Sequence, residues 1–314
     1  MHRIFDHCPV CSVWLHNVHN VPSHSHFFNF DSHFFSFIHG GNKLLRLRKG
    51  APIRKFQLSI WNGIDVRSSF GINSLISASL SYNVQELDIH TGFYCGKRIS
   101  TQEIFNRKTL VSLKLHSERG LDFLVPNSVF LPHLKVLDLK LMDVEDGSIK
   151  RIIQGCPFLE ELYLSFAATD ENEKVEHIDF SSNSLKKLMF EFWRRKRTIM
   201  VESDSLESLD YQLHKDDYFQ HEVIINTPNL KYLACQASGT GVKLIQNLDS
   251  LIEAKISLGW DNRRKSQGVI EHLNRVQGVT SLCLQKHNLQ FPAFVANFRE
   301  FEHSGACILQ GGLC

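Results

Sequence analysis

The sequence lacks a long apolar run and an excess of charge of either sign. No stretch approaches 18 apolar residues, about the length of a membrane-spanning helix. Its first residues, Met1-His-Arg-Ile-Phe-Asp-His, carry charge where a secretory signal needs apolar side chains. Lys and Arg total 35 and Asp and Glu total 33, a balance that argues against nucleic-acid and membrane partners. We therefore expect a cytoplasmic or nuclear protein.

Dense cysteine clusters and catalytic motifs are also missing. The eight cysteines are spread from Cys8 to Cys314. In a reducing compartment they are expected to be free thiols, and those in apolar strand patterns to be small buried hydrophobes. There is no Gly-x-Ser-x-Gly elbow and no glycine-rich phosphate loop. We therefore expect no enzymatic activity and no cofactor.

One pattern, Leu-x-x-Leu-x-Leu, recurs along the chain. Between Leu87 and Ala254 its central positions are 26, 24, 25, 26, 21, 24 and 21 residues apart, and leucine-rich repeats run at about 20–29 residues. The clearest copies are Leu110/Leu113/Leu115, Leu134/Leu137/Leu139, Leu159/Leu162/Leu164, Leu185/Leu188/Phe190, Leu206/Leu209/Tyr211 and Leu230/Leu233/Cys235. Weaker copies are Ile53/Phe56/Leu58, Val84/Leu87/Ile89, Leu251/Ala254/Ile256 and Val279/Leu282/Leu284.

This spacing predicts the fold. The last two apolar residues of each copy are two positions apart, so they point to one face of a strand. No copy can bury its apolar edge alone, whereas parallel stacking of copies builds a shared core. The expected fold class is α/β, a leucine-rich-repeat solenoid with a curved parallel β-sheet and helical or irregular return segments. Chance explains one copy but not six at near-regular spacing, and four short strands per unit, as in a β-propeller, are not found.

One return segment has a helical pattern. Ile149, Ile152 and Ile153 form a stripe at helical spacing. Asp146 is expected to be its N-cap and Gly155 its C-terminal cap. Proline precedes the first leucine of three copies by two residues, where it ends the preceding element: Pro132, Pro157 and Pro228.

The ends of the chain differ from its middle. Residues 1–40 hold eight of the 17 histidines and are expected to form a divergent N-terminal cap. Residues 41–290 are the predicted leucine-rich-repeat domain, and residues 291–314 are expected to be an irregular C-terminal tail. Three phenylalanines of the first segment recur after seven residues, a helical spacing: Phe27, Phe28 and Phe30, then Phe34, Phe35 and Phe37.

Seven stretches of the repeats also carry a resemblance to a known family. They are 51–58 (APIRKFQL), 83–89 (NVQELDI), 109–115 (TLVSLKL), 131–139 (LPHLKVLDL), 155–162 (GCPFLEEL), 184–188 (SLKKL) and 226–233 (NTPNLKYL). In this order they resemble the leucine-rich-repeat region of the plant F-box/LRR family, which often carries a C-terminal FBD domain. The resemblance covers about residues 30–290.

The resemblance implies a role in protein binding. In that family an N-terminal F-box binds a Skp-type adaptor of a cullin ubiquitin ligase, and the repeats select the target protein. The Leu-Pro start, the following helices and the basic-Trp close of an F-box are not found here, although Val13-Trp14-Leu15 is similar to that close. An FBD domain is not recognisable either. A truncated gene model, a splice form and a family member that lost the F-box are all open.

Three functions follow. The first is the substrate-recognition part of an SCF-type (Skp–cullin–F-box) E3 ubiquitin ligase, and the second is a stand-alone interaction protein. The third is metal or nucleic-acid binding. It rests on Cys8-Pro-Val-Cys11 with His7, His16 and His19 as zinc ligands, or on Arg194-Arg-Lys-Arg197 as a phosphate contact or nuclear-localisation signal. The unusual histidine spacing favours an irregular reduced segment, and the basic run favours a solvated loop between strands.

The predicted binding surface is the concave face of the sheet. Residues that alternate with the strand leucines point away from the core, and their mixture of charges and tyrosines suits a protein target. A merely solvated face is the alternative. The residues are Glu86, Asp88, His90, Lys114, His116, Asp138, Lys140, Glu161, Tyr163, Lys187, Glu191, Asp210, Gln212, Tyr232 and Gln236.

Overall fold

The structure of the chain is a computed structural model. It describes residues 39–43, 45–47, 52–60, 68–91, 101–117, 125–141, 147–167, 176–193, 197–214, 222–237, 241–246, 248–258, 281–287 and 306–312. The chain forms two compact units, Met1–Leu159 and Glu160–Cys314. Each unit is a stretch of leucine-rich-repeat solenoid, so the predicted fold class is confirmed. The domain boundaries at residues 40 and 290 stay predictions.

The first unit contains a parallel sheet in the order β1-β2-β3-β4. Its strands are β1 (Lys55–Ile60), β2 (Glu86–Thr91), β3 (Ser112–Ser117) and β4 (Val136–Leu141). Its return segments contain α1 (Ser68–Leu80), a 3-10 turn (Ile104–Asn106) and α2 (Ser148–Gly155). Residues 39–43 and 45–47 are helical and precede β1.

Helix α1 follows from the spacing of its apolar residues. Ile72, Leu75, Ile76 and Leu80 are at most 2% exposed, and their spacing places them on one side of a helix. Ser79 lies on the same buried side, and its hydroxyl donates to the Ile76 carbonyl at 2.7 Å. A buried hydroxyl is tolerated there because the helix itself supplies its acceptor.

The second unit contains two parallel sheets. The larger has the order β5-β7-β9-β11-β13-β14-β15 and the smaller the order β12-β10-β8-β6. The larger is built from β5 (Glu161–Ala167), β7 (Lys187–Trp193), β9 (Ser208–His214), β11 (Tyr232–Ala237), β13 (Glu253–Leu258), β14 (Ser281–His287) and β15 (Ala306–Gly312). The smaller is built from β6 (Glu176–Asp179), β8 (Arg197–Glu202), β10 (Glu222–Asn226) and β12 (Gly241–Gln246).

The return segments of the second unit are therefore strands, which the sequence pattern did not predict. Their apolar residues are two apart rather than three or four: Ile199 and Val201 in β8, and Val223 and Ile225 in β10, are all fully buried. Period-two burial requires extended backbone. The strands of the smaller sheet pair in parallel, β6 with β8, β8 with β10 and β10 with β12.

The leucines of the repeat align across neighbouring strands and fill the core. Leu113 pairs in register with Leu87 and Leu137, and Leu209 pairs with Leu188 and Leu233. All are at most 2% exposed. The weaker copies also form strands: β1 from Ile53/Phe56/Leu58, β13 from Leu251/Ala254/Ile256 and β14 from Val279/Leu282/Leu284.

Seven of the described junctions between successive repeats share one backbone pattern. The Gln85 carbonyl accepts from two successive amides, those of Val111 at 2.7 Å and Ser112 at 3.0 Å. This forked junction places the start of each strand beside the start of its neighbour. It recurs at the carbonyls of Arg54, Gln85, Val111, Glu160, Lys186, Glu207 and Lys231.

Three of the copies are entered through a proline turn. The Leu134 amide donates to the Leu131 carbonyl at 3.1 Å, and the Leu230 amide donates to the Thr227 carbonyl at the same distance. These are four-residue turns with Pro132 or Pro228 at the second position, which its fixed φ suits. The turn before Leu159 is built in the same way.

Helix α2 departs from the predicted capping. Its N-cap is Gly147, with a left-handed φ of 78°, and Asp146 lies outside the described residues. Gly155 is the last helical residue and Cys156 is the C-cap, so Gly155 is not a cap. Its role is close packing, because a Cβ there would lie 2.3 Å from the Val129 carbonyl oxygen.

The predicted irregular tail is wrong for part of its length. Ala306–Gly312 forms β15, which pairs in parallel with β14. The tail has no leucine repeat, but Cys307-Ile308-Leu309 is a short apolar run, and short apolar runs occur in strands as well as in helices. The phenylalanine pattern of residues 27–37 lies outside the described residues. Among the helices that are described, none is both long and apolar enough to cross a membrane.

The core of the second unit holds a group of stacked aromatic rings. The Phe190 ring lies 5.3 Å from that of Phe180, 5.1 Å from Phe192 and 5.5 Å from Tyr211. All four side chains are fully buried. Phe180 directly follows β6 while the others lie on β7 and β9, so this aromatic group packs between the two sheets.

Candidate protein-binding face

The predicted surface residues lie on strands, at positions that alternate with buried leucines. In β2 and β3 the alternation is complete, with Glu86, Asp88 and His90 half-buried between fully buried neighbours. We call the outward residues of β1–β4 the first polar face and those of β5, β7, β9, β11 and β13 the second polar face. The side chain of Gln236 lies outside the described part of the chain.

The first polar face brings two histidines and an aspartate together. His90 and His116 are register partners. Their ring centroids are 4.4 Å apart, and His90 Nε2 is in hydrogen-bond contact with His116 Nδ1. His116 Nε2 lies 2.7 Å from Asp138 Oδ1, although this contact does not meet hydrogen-bond angles. Lys114 Nζ is 3.9 Å from the other Asp138 oxygen, so Asp138 is engaged by two cationic or polar neighbours.

Other predicted residues of this face are not brought into that group. Glu86 pairs instead with Arg54, Nε to Oε1 at 3.3 Å, at the start of β1 and β2. Asp88 lies in register between Gln57 and Lys114. Lys140 is exposed and pairs in register with His116. The sequence pattern did not predict this role of Arg54, because the predicted binding surface begins at Glu86.

The second polar face has a contact group centred on Tyr163. The Tyr163 hydroxyl donates to Glu161 Oε2 at 2.5 Å, and Lys187 Nζ lies 5.3 Å from the centre of its ring. Burial, followed by the hydrogen bond to Glu161, raises the pKa of Tyr163. Interaction with Tyr163 raises the pKa of Lys187. Each group therefore keeps its proton, and the tyrosine acts as a donor and as a ring surface.

Asp210 lies on the same face. It pairs in register with Met189 on one side and Ala234 on the other. Within the described part of the chain its carboxylate makes no hydrogen bond and no ion pair. Burial raises its pKa, against the opposing charges of Lys255 and Lys187. Asp210 is therefore a half-buried carboxylate that, within the described residues, interacts with the charges of Lys255 and Lys187.

Lys255 was another residue that the sequence reasoning missed. It lies on β13, the strand formed by the weak copy Leu251/Ala254/Ile256. The alternation rule applied to that copy would have placed Glu253 and Lys255 on the face. Of the remaining predicted residues, Glu191 accepts from the Ser165 hydroxyl at 3.2 Å, whereas Gln212 and Tyr232 are half-buried on β9 and β11.

A ladder of alternating charge borders the second polar face. Glu160, Lys186, Glu207 and Lys231 occupy the same position of successive repeats, just before the strands. Lys186 Nζ is 3.0 Å from Glu160 Oε2, and Lys231 Nζ is 2.9 Å from Glu207 Oε2. Lys231, and then Lys186, lower the pKa of Glu207. These pairs are exposed, so each adds little to the free energy of unfolding. A change in the register between neighbouring strands would separate the paired charges, so the pairs favour the observed register.

The other motifs give no second site in the described residues. No group of three or more histidine, cysteine or acidic side chains there could hold a metal ion, and the Cys8–Cys11 motif lies outside them. Burial raises the pKa of Cys156 and of Cys235 to about 12. Both are free and buried, which confirms the sequence prediction for these two residues and leaves neither as a thiolate nucleophile. Arg197 begins β8, whereas residues 194–196 lie outside the described part.

Residues 72–261 match a family described as "FBD-associated F-box protein At5g56370, LRR repeats". The chain belongs to this family. The match starts in α1 and ends just after β13, so it includes most strands of both polar faces. The resemblance to plant F-box/LRR proteins is thereby confirmed.

Similar proteins from Arabidopsis thaliana carry related descriptions. F-box/LRR-repeat protein At4g14096 is 28% identical over 81% of this chain and 50% of its own length. F-box/LRR-repeat protein At4g14103 is 28% identical over 81% of this chain and 63% of its own length. Putative F-box/FBD/LRR-repeat protein At3g59240 is 25% identical over 77% and 44%. The chain spans about half the length of the curated relatives it matches, and no solved structure matches it.

Replacement of Asp210 by asparagine is expected to raise the free energy of unfolding slightly at neutral pH. Burial raises the folded-state pKa above the ordinary value of 3.8, so the charged form costs stability as pH rises through the folded pKa. Solvent reaches part of the side chain, which limits the gain to below about 1 kcal/mol. Urea unfolding at pH 7 and pH 3 measures it, and the gain should vanish at pH 3. Asp249→Asn, in an exposed turn, is the control, and an equal gain there would contradict the explanation.

Proposed function

We propose that this chain is the target-recognition part of an SCF-type E3 ubiquitin ligase subunit and performs no catalysis itself. The observation that carries the proposal is the strand alternation, which sets half-buried charged and aromatic side chains opposite a leucine-filled core. The family match supplies the link to F-box proteins. The target protein is proposed to contact the two polar faces, including the fifteen residues predicted from the sequence, in the cytoplasm or nucleus.

A face of this kind suits protein binding for physical reasons. Its side chains are fixed on strands, so little conformational entropy is lost when a partner docks. Tyr163 and Tyr232 offer amphipathic ring surface, and residues of this type dominate binding energy in protein interfaces. Charges of both signs are held at defined positions, which favours specific over general attraction.

The link to the ligase is tested by co-purification with a recombinant Skp-type adaptor and cullin at micromolar concentration. One sample contains the chain, and a second contains the chain with the F-box of F-box/LRR-repeat protein At4g14103 fused to its N-terminus. We expect the fused chain to recover the adaptor. Adaptor recovered with the unfused chain would assign adaptor binding to these 314 residues.

Target recognition is tested with the assembled fused complex, ubiquitin-activating and ubiquitin-conjugating enzymes, and plant extract. Ubiquitination of a captured protein is expected to fall at least about tenfold in a Tyr163→Ala variant, the size of a strong interface contact. Lys150→Glu, on the exposed side of α2, is the matched control. An assembled complex that ubiquitinates nothing in a face-dependent way would favour the second candidate, a stand-alone interaction protein.

A further inference from the structure

The first polar face contains a direct contact between two histidine rings. His90 and His116 are register partners on β2 and β3, and their ring centroids lie 4.4 Å apart. His90 Nε2 and His116 Nδ1 are the two atoms in contact. Both side chains are half-buried, so water reaches them while the strands hold the rings side by side. Histidine is the residue type whose charge ordinarily changes between about pH 5 and pH 8.

The contact between the two rings is possible in only some protonation states. A neutral imidazole has one donor and one acceptor nitrogen, whereas both nitrogens of an imidazolium are donors. With no added proton, or with one, one of the two facing nitrogens can still accept the N–H of the other. With an added proton on each ring, both facing nitrogens carry hydrogen and two positive charges lie side by side. The second added proton is therefore incompatible with the contact between His90 and His116.

The charged groups around the pair do not compensate for a second positive charge. Asp138 Oδ1 lies 2.7 Å from His116 Nε2, but Lys114 Nζ lies 3.9 Å from the other oxygen of that carboxylate. His116 also has Lys140 as its register partner on β4, and His90 has the uncharged Ser59 on β1. The outward charged side chains of β1–β4 in the described residues are balanced in number: Glu86, Asp88 and Asp138 against Lys55, Lys114 and Lys140.

We propose that the His90–His116 pair is a pH-sensitive switch in the first polar face. The rings stay in contact while the pair holds at most one added proton, and the second added proton separates them. Acidification then changes both the charge of the first polar face and the positions of two of its rings. The switch is a property of the free chain. Its effect on target binding rests on the proposed function, in which this face contacts the target.

The test is a titration of the full chain from pH 8 to pH 5, followed by NMR of the histidine ring nitrogens. Signals that are missing in His90→Gln and in His116→Gln assign the two rings. We expect the pair to titrate in two steps at least about one pH unit apart, as coupled sites do. In His90→Gln, His116 is expected to titrate in a single step. His177→Gln, at an exposed position of β6, is the matched control and should leave both steps unchanged.

Thermal unfolding gives a second readout. The two rings are not held together in the unfolded chain, so the unfolded state binds the second proton more readily and stability rises with pH. Between pH 7 and pH 5 the unfolding midpoint of the wild type is therefore expected to fall by about 2–4 °C more than that of His90→Gln. His177→Gln should follow the wild type. Circular dichroism at pH 8 checks that the variants are folded.

Failure of the switch is distinguishable from failure of the proposed function. A single titration step for both rings in the wild type overturns the switch, as does an unchanged His116 curve in His90→Gln. Either result overturns it even if Tyr163→Ala abolishes target ubiquitination. Two steps that become one in His90→Gln support the switch even if Tyr163→Ala leaves target ubiquitination unchanged, a result that would overturn only the proposed function.

Discussion

Replacement of Phe190 by alanine is expected to lower the free energy of unfolding by about 3–5 kcal/mol, the usual cost of a buried phenylalanine. Its ring is fully buried and stacked against Phe180, Phe192 and Tyr211. The cavity would open between the two sheets of the second unit, where three ring contacts are lost together. Guanidinium unfolding followed by circular dichroism measures the change.

Phe158→Ala is the control for this prediction. Phe158 lies in a turn and is 62% exposed, so the same atoms are deleted without a cavity. Its effect is expected to stay within about 0.5 kcal/mol. Similar losses in the two variants would mean that the aromatic group does not hold the sheets together.

Replacement of Gly155 by alanine is expected to cost about 1–3 kcal/mol, the range for forced overpacking. The new Cβ would lie 2.3 Å from the Val129 carbonyl oxygen and 2.6 Å from its Cγ1. The Gly155 carbonyl also accepts from the Leu131 amide at 2.9 Å, so α2 cannot move away without loss of that bond. Thermal or urea unfolding gives the magnitude.

The matched substitution is Gly40→Ala. A Cβ there meets nothing within 4 Å, and the residue is helical. Alanine is favoured over glycine in a helix by roughly 0.5–1 kcal/mol, so the expected change is a gain. The two substitutions therefore have opposite expected signs, and a loss of the same size at both positions would rule out close approach as the explanation.

The strands that carry the leucine repeat were predictable because each has apolar residues at fixed offsets. Leu113, Leu137 and Leu162 occupy the central position of the same motif. Ala254 occupies that position in its weak copy and pairs in register with Leu233. The return strands were not predictable by that route. β6 contains four residues, and among its described side chains at 177–179 only Ile178 is buried. That pattern is too short to distinguish a strand from an irregular crossover.

The sequence predicts which residues lie on the polar faces but not which of their side chains contact one another. Alternation placed His90 and His116 on one face, and the 26-residue step between Leu87 and Leu113 also aligns the two histidines. The meeting of His116 with Asp138, or of Lys187 with the Tyr163 ring, depends on side-chain rotamers, which periodicity does not specify. The capping of α2 by Gly147 was missed because a left-handed glycine was not weighed against Asp146.

The forked junction has a consequence for how such a chain can change. It uses only backbone groups: the Lys186 carbonyl, for example, accepts from the amides of Glu207 and Ser208. Any residue other than proline can donate that bond, so outward residues can be exchanged between repeats without loss of alignment. A one-residue insertion between the first leucine and the strand would turn every side chain of that strand to the opposite face of the sheet. Point substitutions on the outward face can therefore change what the chain recognises. Changes in repeat length are tolerated only in the return segments.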